Sequence, residues 1–141
     1  MKLLIMGLPN AGKTTLATAL ARRLEAVHYN ADDVRKMHND WDFSAEGRLR
    51  QAVRMGKICD AVDGDDRYVI ADFVCPTSET RSAFGDAFVI WVDRIDAGRF
   101  EDTNKLFEPP TIVDVVVPAG MLVDEEVSMV MKEIDKRNKG T

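Results

Sequence analysis

A glycine-rich stretch near the start of the chain constrains the fold more than any other feature of the sequence. Residues 7–15 read Gly-Leu-Pro-Asn-Ala-Gly-Lys-Thr-Thr, which matches the G-x-x-x-x-G-K-[ST] spacing of a phosphate-binding loop. An apolar run at residues 3–6 precedes this loop, and a segment with helical periodicity of leucine and alanine follows it. A buried strand, a glycine-rich loop and a helix in this order predict a site for a nucleoside triphosphate.

Each part of the loop has a predicted task. Gly7 and Gly12 allow the backbone to curl so that its N–H groups point at phosphate oxygens, and the helix that begins near Lys13 adds its dipole. Lys13 can reach the β- and γ-phosphates, and the Thr14 hydroxyl can bind Mg²⁺. The residues predicted to bind the nucleotide are Gly7, Leu8, Pro9, Asn10, Ala11, Gly12, Lys13, Thr14 and Thr15.

Length and charge narrow the class of protein. A chain of 141 residues suits a single domain, and we predict one domain over residues 1–141. The net charge of −5 disfavours a nucleic-acid partner. No segment approaches the roughly 18 apolar residues of a membrane helix, so we predict no membrane partner. The two cysteines form no C-x-x-C pair, and we predict a cytoplasmic protein.

Apolar runs and helical patterns alternate along the chain. Strands are predicted at residues 2–6, 26–30, 67–72, 87–93 and 112–117, and helices at 13–25, 32–37, 45–62, 78–84 and 123–136. Residues 94–111 are predicted to form a mobile loop, and residues 136–141 a frayed polar end. The alternation predicts an α/β fold with a parallel sheet and helices on both faces, in which ligands bind at the carboxyl ends of the strands.

Three aspartates follow predicted strands at that edge. Asp32 or Asp33 could accept or orient the proton of an acceptor hydroxyl, although helix N-termini also favour such charges. Asp72 ends an apolar strand as a Walker-B acid does and could hold Mg²⁺ or its water, although it could equally be a turn residue.

A small-molecule kinase fits the loop better than the other users of such loops. A GTPase needs N-K-x-D, but in the stretch that begins Asn104-Lys105 the aspartate position holds Phe107. A motor ATPase usually needs a larger body. A kinase needs an acid near its acceptor and cations for that acceptor, for which Arg35, Arg48 and Arg54 are candidates. Two loop aromatics, Phe43 and Phe100, could hold a planar base or fill the edge of the core. His28 and His38 have no spacing that suggests a metal site, and Cys75 lies in a loop where it could be exposed.

The order and spacing of these motifs resemble the adenylylsulfate kinases, also called APS kinases. The resemblance covers about residues 1–117 and runs through residues 7–15, Asn30-Ala31-Asp32-Asp33-Val34-Arg35, Phe43-Ser44 with Arg48, Arg54-Met55-Gly56, Ala71-Asp72-Phe73-Val74-Cys75-Pro76, Phe100 and Phe107-Glu108-Pro109-Pro110.

The resemblance implies the transfer of the γ-phosphoryl group of MgATP to the 3′-hydroxyl of adenosine 5′-phosphosulfate, with ATP and Mg²⁺ as cofactors. It implies the P-loop sheet order 2-3-1-4-5, a small-molecule substrate as partner, and a homodimer as a possible assembly. The roles it implies are Lys13 and Asp32 as catalytic residues, Thr14 and Asp72 as metal ligands, Arg35 and Arg48 on the phosphosulfate, Phe43 and Phe100 on the adenine, and Gln51 and Val74 as further substrate contacts.

The chain departs from the family pattern at several positions. Asn30 replaces the usual aspartate, Gln51 a usual asparagine, Cys75 a serine and Thr77 a tyrosine. The segment between Asp93 and Phe100 is too short for the family's helix and basic lid segment. Two alternatives therefore stay open: a kinase of another small hydroxyl substrate (a sugar acid, a nucleotide or a polynucleotide 5′ end), and a nucleotide-binding module without turnover.

Overall fold

Strands and helices alternate along the part of the chain that the structure describes. The structure is a computed structural model, and it describes residues 1–64, 66–94 and 106–140. The strands are β1 Lys2–Met6, β2 Val27–Asn30, β3 Val69–Asp72, β4 Phe88–Asp93 and β5 Val115–Pro118. The helices described are α1 Lys13–Leu24, α2 Ala31–His38, α3 Ala45–Val62, α4 Ser78–Phe84 and α5 Val123–Lys139.

The strands form one parallel sheet in the order β2-β3-β1-β4-β5. β1 is central, with Ile5 level with Asp72 on one side and with Ile90 on the other. All residues of β1 are buried, as expected for a strand covered on both faces. The structure thus confirms the predicted α/β class and the predicted strand order.

Alternate residues of β1 belong to two separate cores. Leu3 and Ile5 pack with apolar residues of α1 and α5 on one face of the sheet. Leu4 and Met6 pack with α3 and α4 on the other face. This division follows from the period of two in a strand. In sheets of this kind ligands bind at the carboxyl ends of the strands.

Three predicted boundaries were wrong by two residues or more. β5 begins at Val115 and not at residue 112, and Ile112 is 87% exposed. β3 begins at Val69 and not at residue 67. The predicted frayed end at residues 136–141 is instead helical as far as Lys139, because basic residues in the last turn complement the helix dipole.

Cys75 could have been exposed in its loop, but the structure buries it completely. Its φ of 46° folds the segment after β3 back onto the protein. The Nε–H of Arg81 donates to the Cys75 carbonyl at 3.1 Å and holds this turn in place. Burial raises the pKa of the Cys75 thiol to about 12, so Cys75 is a core residue.

Two further predictions concern membrane-spanning helices and the loop at residues 94–111. Within the described residues, no helix is both long enough and apolar enough to span a membrane. The predicted loop at residues 94–111 lies largely outside the described residues, and so does Phe100. The described ends of this segment are Arg94, which follows β4, and residues 106–111, which precede β5.

Candidate active site

The phosphate loop connects the end of β1 to the start of α1. Gly7, Asn10 and Gly12 have φ angles of 152°, 64° and 94°, which glycine and asparagine adopt at least cost. A Cβ atom on Gly7 would lie 2.6 Å from the Val92 carbonyl oxygen, so only glycine allows the loop to cross β4 this closely. This backbone matches a cradle for phosphate at a helix N-terminus.

Lys13 lies within the loop and closes it. Its Nζ donates to the Leu8 carbonyl at 2.7 Å, and the residue is 9% exposed. Burial lowers the pKa of Lys13 to about 8, while the charges of Asp72 and Asp32 act in the opposite direction. A desolvated ammonium at this place attracts anionic phosphate oxygens more strongly than an exposed one would.

Asp72 lies at the end of β3 and is 2% exposed. Its Oδ1 accepts hydrogen bonds from the Thr14 hydroxyl at 3.1 Å and from the Asn30 side-chain amide at 3.0 Å. Its Oδ2 pairs with Nε2 of His28. The carboxylate is therefore fixed beside the one loop hydroxyl that the sequence assigns to Mg²⁺.

Thr14 and Asp72 fit a magnesium ion. Both supply oxygen atoms, and Mg²⁺ in such sites binds one or two protein ligands together with substrate phosphates and water. Among the residues that the structure describes, no group of three or more His, Cys, Asp and Glu side chains could hold a metal without such help. The donor set thus suits a magnesium ion that arrives with a nucleotide.

The sequence analysis missed His28. Its signal was the period of two along β2, which places His28 on the same side of the strand as Asn30. The register sets Asn30 level with Asp72 and His28 level with Ile70. His28 is therefore a diagonal neighbour of Asp72 and reaches its carboxylate from two residues earlier along the strand.

Asn30 joins the phosphate side of the site to α2. Its Oδ1 accepts from the backbone N–H groups of Asp32 at 3.0 Å and Asp33 at 3.2 Å, which makes it the N-cap of α2. Its Nδ2 donates to Asp72 and to the Thr14 hydroxyl. An aspartate at position 30 would place a second negative charge against the Asp72 carboxylate at the end of β3. The asparagine avoids this repulsion and supplies a hydrogen-bond donor to Asp72.

Arg35, Phe43 and Arg48 form a second cluster at the junction of α2 and α3. The guanidinium carbons of Arg35 and Arg48 lie 4.3 Å and 5.6 Å from the centroid of the Phe43 ring. Arg35 is 4% exposed, whereas Phe43 is 52% exposed. Burial lowers the pKa of both arginines, although both stay charged at any physiological pH. The cluster therefore presents an aromatic ring together with two partly desolvated cations.

Hydrogen bonds hold this cluster in position. Nη1 of Arg35 donates to the carbonyls of Asp40 at 3.0 Å and Asp42 at 3.1 Å. The Nε–H of Arg48 donates to the Phe43 carbonyl at 2.8 Å. These bonds set the path of residues 39–44 between α2 and α3, of which the sequence predicted only that Phe43 is a loop aromatic.

The Asp40 side chain is the centre of a further set of ion pairs. Its Oδ2 accepts from Arg50 at 2.8 Å and from Arg54 at 2.9 Å. Arg54 also donates to the Gln51 side-chain oxygen at 2.7 Å, and the Gln51 amide nitrogen donates to the Ala31 carbonyl at 3.0 Å. Arg54 is thus not a free surface cation, and both ends of the buried Gln51 amide have partners inside the protein.

The structure brings most of the predicted site residues to one edge of the sheet. Lys13, Thr14, Asp32 and Asp72 lie where β1, β2 and β3 end, and α2 leads from there to Arg35. Val74 is half-buried in the segment after β3. Phe100 lies outside the described residues, and the substrate contacts of Gln51 and Val74 stay predictions.

Comparisons with known proteins identify a family and a fold. The family model for adenylylsulphate kinase matches residues 1–90 of the chain. A probable adenylyl-sulfate kinase of Aeropyrum pernix is 33% identical over 87 residues, which is 55% of this chain and 46% of that protein. The match therefore spans less than half the length of that curated relative.

Solved structures share the fold at low sequence identity. The Mycobacterium tuberculosis APS kinase in complex with AMPPNP and APS is 16% identical with a TM-score of 0.81, over 95% of this chain and 96% of that chain. A gluconokinase of Sinorhizobium meliloti is 13% identical with a TM-score of 0.77, over 99% of this chain and 94% of that chain. A shikimate kinase of Aquifex aeolicus is 15% identical with a TM-score of 0.66, over all of both chains. These likenesses show the kinase fold, and the acceptor has to be argued from the site.

Proposed function

The chain belongs to the adenylylsulphate kinase family, and we propose that it transfers the γ-phosphoryl group of MgATP to the 3′-hydroxyl of adenosine 5′-phosphosulfate. One observation carries the proposal: Asp32 is exposed in the first turn of α2, where this helix leads from the phosphate side of the site to the buried Arg35. The Asp32 backbone N–H donates to the Asn30 side chain at 3.0 Å, and the Asn30 amide nitrogen donates in turn to Thr14 and Asp72. A carboxylate between a phosphate-binding lysine and an anion-binding arginine is where an acceptor hydroxyl would need its base.

On the donor side, the N–H groups of residues 7–15 would bind the phosphates of ATP. Lys13 would balance the negative charge on the transferring group, for which its desolvated ammonium is suited. Thr14 and Asp72 would hold Mg²⁺, which neutralises charge on the phosphate oxygens when it is bound. His28 and Asn30 would keep the Asp72 carboxylate in position from behind.

On the acceptor side, Arg35 and Arg48 would bind the phosphosulfate of the substrate. Both guanidinium groups are partly desolvated, which strengthens their attraction for an anion. The half-exposed Phe43 ring, supported by the Arg35 guanidinium at 4.3 Å, would stack on the adenine. An exposed aromatic ring beside two arginines favours an aromatic, anionic acceptor over a sugar acid.

The reaction would exchange one bond for another with Asp32 as the base. The acceptor oxygen forms a bond to the γ-phosphorus as the bond from this phosphorus to the bridging β–γ oxygen breaks, and ADP leaves. The acceptor proton passes to the Asp32 carboxylate. Asp32 is exposed at the start of α2, where its carboxylate is open to a ligand.

The neighbouring aspartate offers a matched test. Asp32 and Asp33 share the cap from Asn30 and the same helix turn, so their replacement affects α2 in the same way. We expect Asp32→Asn to lower kcat by about 10²-fold or more, with a small effect on the KM of ATP. Asp33→Asn should keep kcat within about threefold of wild type. Equal losses of kcat in both variants would contradict the assigned role of Asp32.

Several predictions stand beside this proposal. We propose a small-molecule partner and one domain over residues 1–141, and the cytoplasmic location and the homodimer stay predictions. A hexameric APS kinase from Thiobacillus denitrificans, 23% identical over 96% of this chain and 29% of that chain, has a TM-score of 0.76. That hexamer gives a reason to measure the assembly of this chain in solution.

A further inference from the structure

We propose that Arg94, held by Glu126, is a positioning residue that sets the direction of the Gly12 N–H group in the phosphate loop. Arg94 directly follows β4, and Glu126 lies in the first turns of α5. Neither residue belongs to the motifs that the sequence analysis identified. The inference rests on the proposed binding of nucleotide phosphates by this loop.

A hydrogen bond joins Arg94 to the backbone of the phosphate loop. Nη1 of Arg94 donates to the Ala11 carbonyl at 2.9 Å, and Ala11 is 1% exposed, so water cannot easily replace this donor. Among the described residues there are no cis peptide bonds. In a planar trans peptide the carbonyl of one residue points opposite to the N–H of the next. Fixing the Ala11 carbonyl therefore turns the Gly12 N–H towards the other side of the loop, where phosphate would lie.

The Arg94 guanidinium also approaches Gly12 closely. A Cβ atom built on Gly12 would lie 2.6 Å from Nη1 of Arg94. Gly12 thus permits both its own φ of 94° and the contact with Arg94. The guanidinium lies directly against the peptide that it orients.

Glu126 supports the guanidinium itself. Its Nη2 pairs with Oε2 of Glu126, which is 3% exposed. The Nε–H of Arg94 is buried and has no hydrogen-bond partner among the described residues. A buried donor without a partner costs stability. The side chain of Arg94 therefore keeps its bonds to Ala11 and Glu126 although its Nε–H has no hydrogen-bond partner among the described residues. This is expected if the orientation of the guanidinium matters for nucleotide binding.

A second ion pair of α5 provides a matched control. Nη1 of Arg137 binds Oδ1 of Asp114 at 2.8 Å and likewise fastens α5 to the sheet. Asp114 precedes β5, and its other oxygen accepts from the Val89 N–H at 2.7 Å, so this pair does not involve the phosphate loop. Loss of the Arg137 pair should weaken the attachment of α5 without turning the Gly12 peptide.

The experiment measures MgADP affinity by calorimetry and thermal stability for wild type, Arg94→Met, Arg94→Lys and Arg137→Met. Both methionine variants should melt at lower temperature than wild type. Arg94→Met should raise the Kd of MgADP by about tenfold, the effect of one charge-assisted hydrogen bond, and Arg137→Met should change it by less than about twofold. Arg94→Lys should give an intermediate Kd, since one ammonium can bind Ala11 or Glu126 but not hold both in the same plane.

The outcomes separate the two roles. Equal MgADP affinity in wild type and Arg94→Met would overturn the inference alone. If Arg94→Met does not fold, Arg94→Lys decides the question: weakened MgADP binding supports the inference, and unchanged binding overturns it. Wild-type protein that binds no MgADP would overturn the proposed function together with this inference.

Discussion

A single asparagine connects the two halves of the candidate active site. The Asn30 amide nitrogen donates to Thr14 and Asp72 on the phosphate side, while its oxygen caps the helix that carries Asp32 and Arg35. The sequence analysis identified Asn30 as a departure from the family pattern. The structure gives a physical reason for it, because a donor is needed beside the buried Asp72 carboxylate.

The residues of this site differ in how far the sequence could predict them. Lys13 and Thr14 were predictable because the loop motif is local and its spacing alone fixes their place. His28 and Arg94 were not predictable from local spacing. The partner of His28, Asp72, is 44 residues away in the sequence, and Ala11 is 83 residues away from Arg94. Such contacts depend on which strands and helices become neighbours and on side-chain rotamers, and the local pattern around each residue gives neither.

Lys13→Met separates function from stability at the residue scale. Burial of the charged lysine costs folding free energy, as its lowered pKa of about 8 reflects. An apolar side chain of similar length should therefore fit without loss of stability. We expect a midpoint of thermal unfolding at pH 7 that is equal to or above that of wild type, together with loss of ATP turnover. Calorimetry and an ADP-release assay check the two parts. Substantial phosphoryl transfer by this variant would contradict the assigned role of the loop.

At the scale of elements, the junction of α2 and α3 forms the proposed acceptor half of the site. The sequence predicted both helices, and in the structure the Ser44 hydroxyl caps α3 by accepting from the Gly47 N–H at 3.2 Å. It did not predict the ion pairs of Asp40, since Arg50 and Arg54 had no visible partner in the pattern. Those pairs turn residues 39–44 from a simple connection into the support for Arg35 and Phe43.

Asp40→Asn tests this support. Hydrogen bonds from Arg50 and Arg54 hold the pKa of Asp40 well below its ordinary value, so the folded state favours the charged form. The stability that Asp40 adds over asparagine should be present in full above the unfolded pKa of about 3.9. It should shrink as the pH falls below that value and disappear below the folded pKa. Urea unfolding of wild type and variant between neutral and acidic pH measures this difference.

Asp40→Asn should also weaken the binding of the acceptor without weakening the binding of ATP. With residues 39–44 loosened, the KM of the acceptor should rise by several-fold, on the order of one lost hydrogen bond, and the KM of ATP should stay near wild type. Asp60→Asn is the control, because Asp60 pairs with Lys2 at 2.9 Å near the other end of α3. A similar rise in the acceptor KM for Asp60→Asn would show that the effect is only one of global stability.

At the scale of the whole molecule, the order of the strands fixes which strand ends lie next to one another. β1 lies between β3 and β4, so the phosphate loop emerges between Asp72 on one side and Arg94 on the other. The alternation of strands and helices was sufficient to predict the parallel sheet, and the family resemblance supplied its order. The start of β5 was harder to predict, because the apolar Ile112 and Val113 continue the pattern of the strand although Ile112 is exposed. Hydrophobicity marks residues that could be buried, and only packing decides which of them are.

The central claim is that the acceptor is adenosine 5′-phosphosulfate, and release of ADP from MgATP tests it most directly. Purified protein is incubated with MgATP and, in separate reactions, with adenosine 5′-phosphosulfate, a sugar acid, a nucleoside monophosphate, an oligonucleotide with a free 5′-hydroxyl, or no acceptor. The account predicts release of ADP with adenosine 5′-phosphosulfate alone, together with a product that carries the new phosphate at the 3′ position. Release with another acceptor, or with none of them, would contradict it.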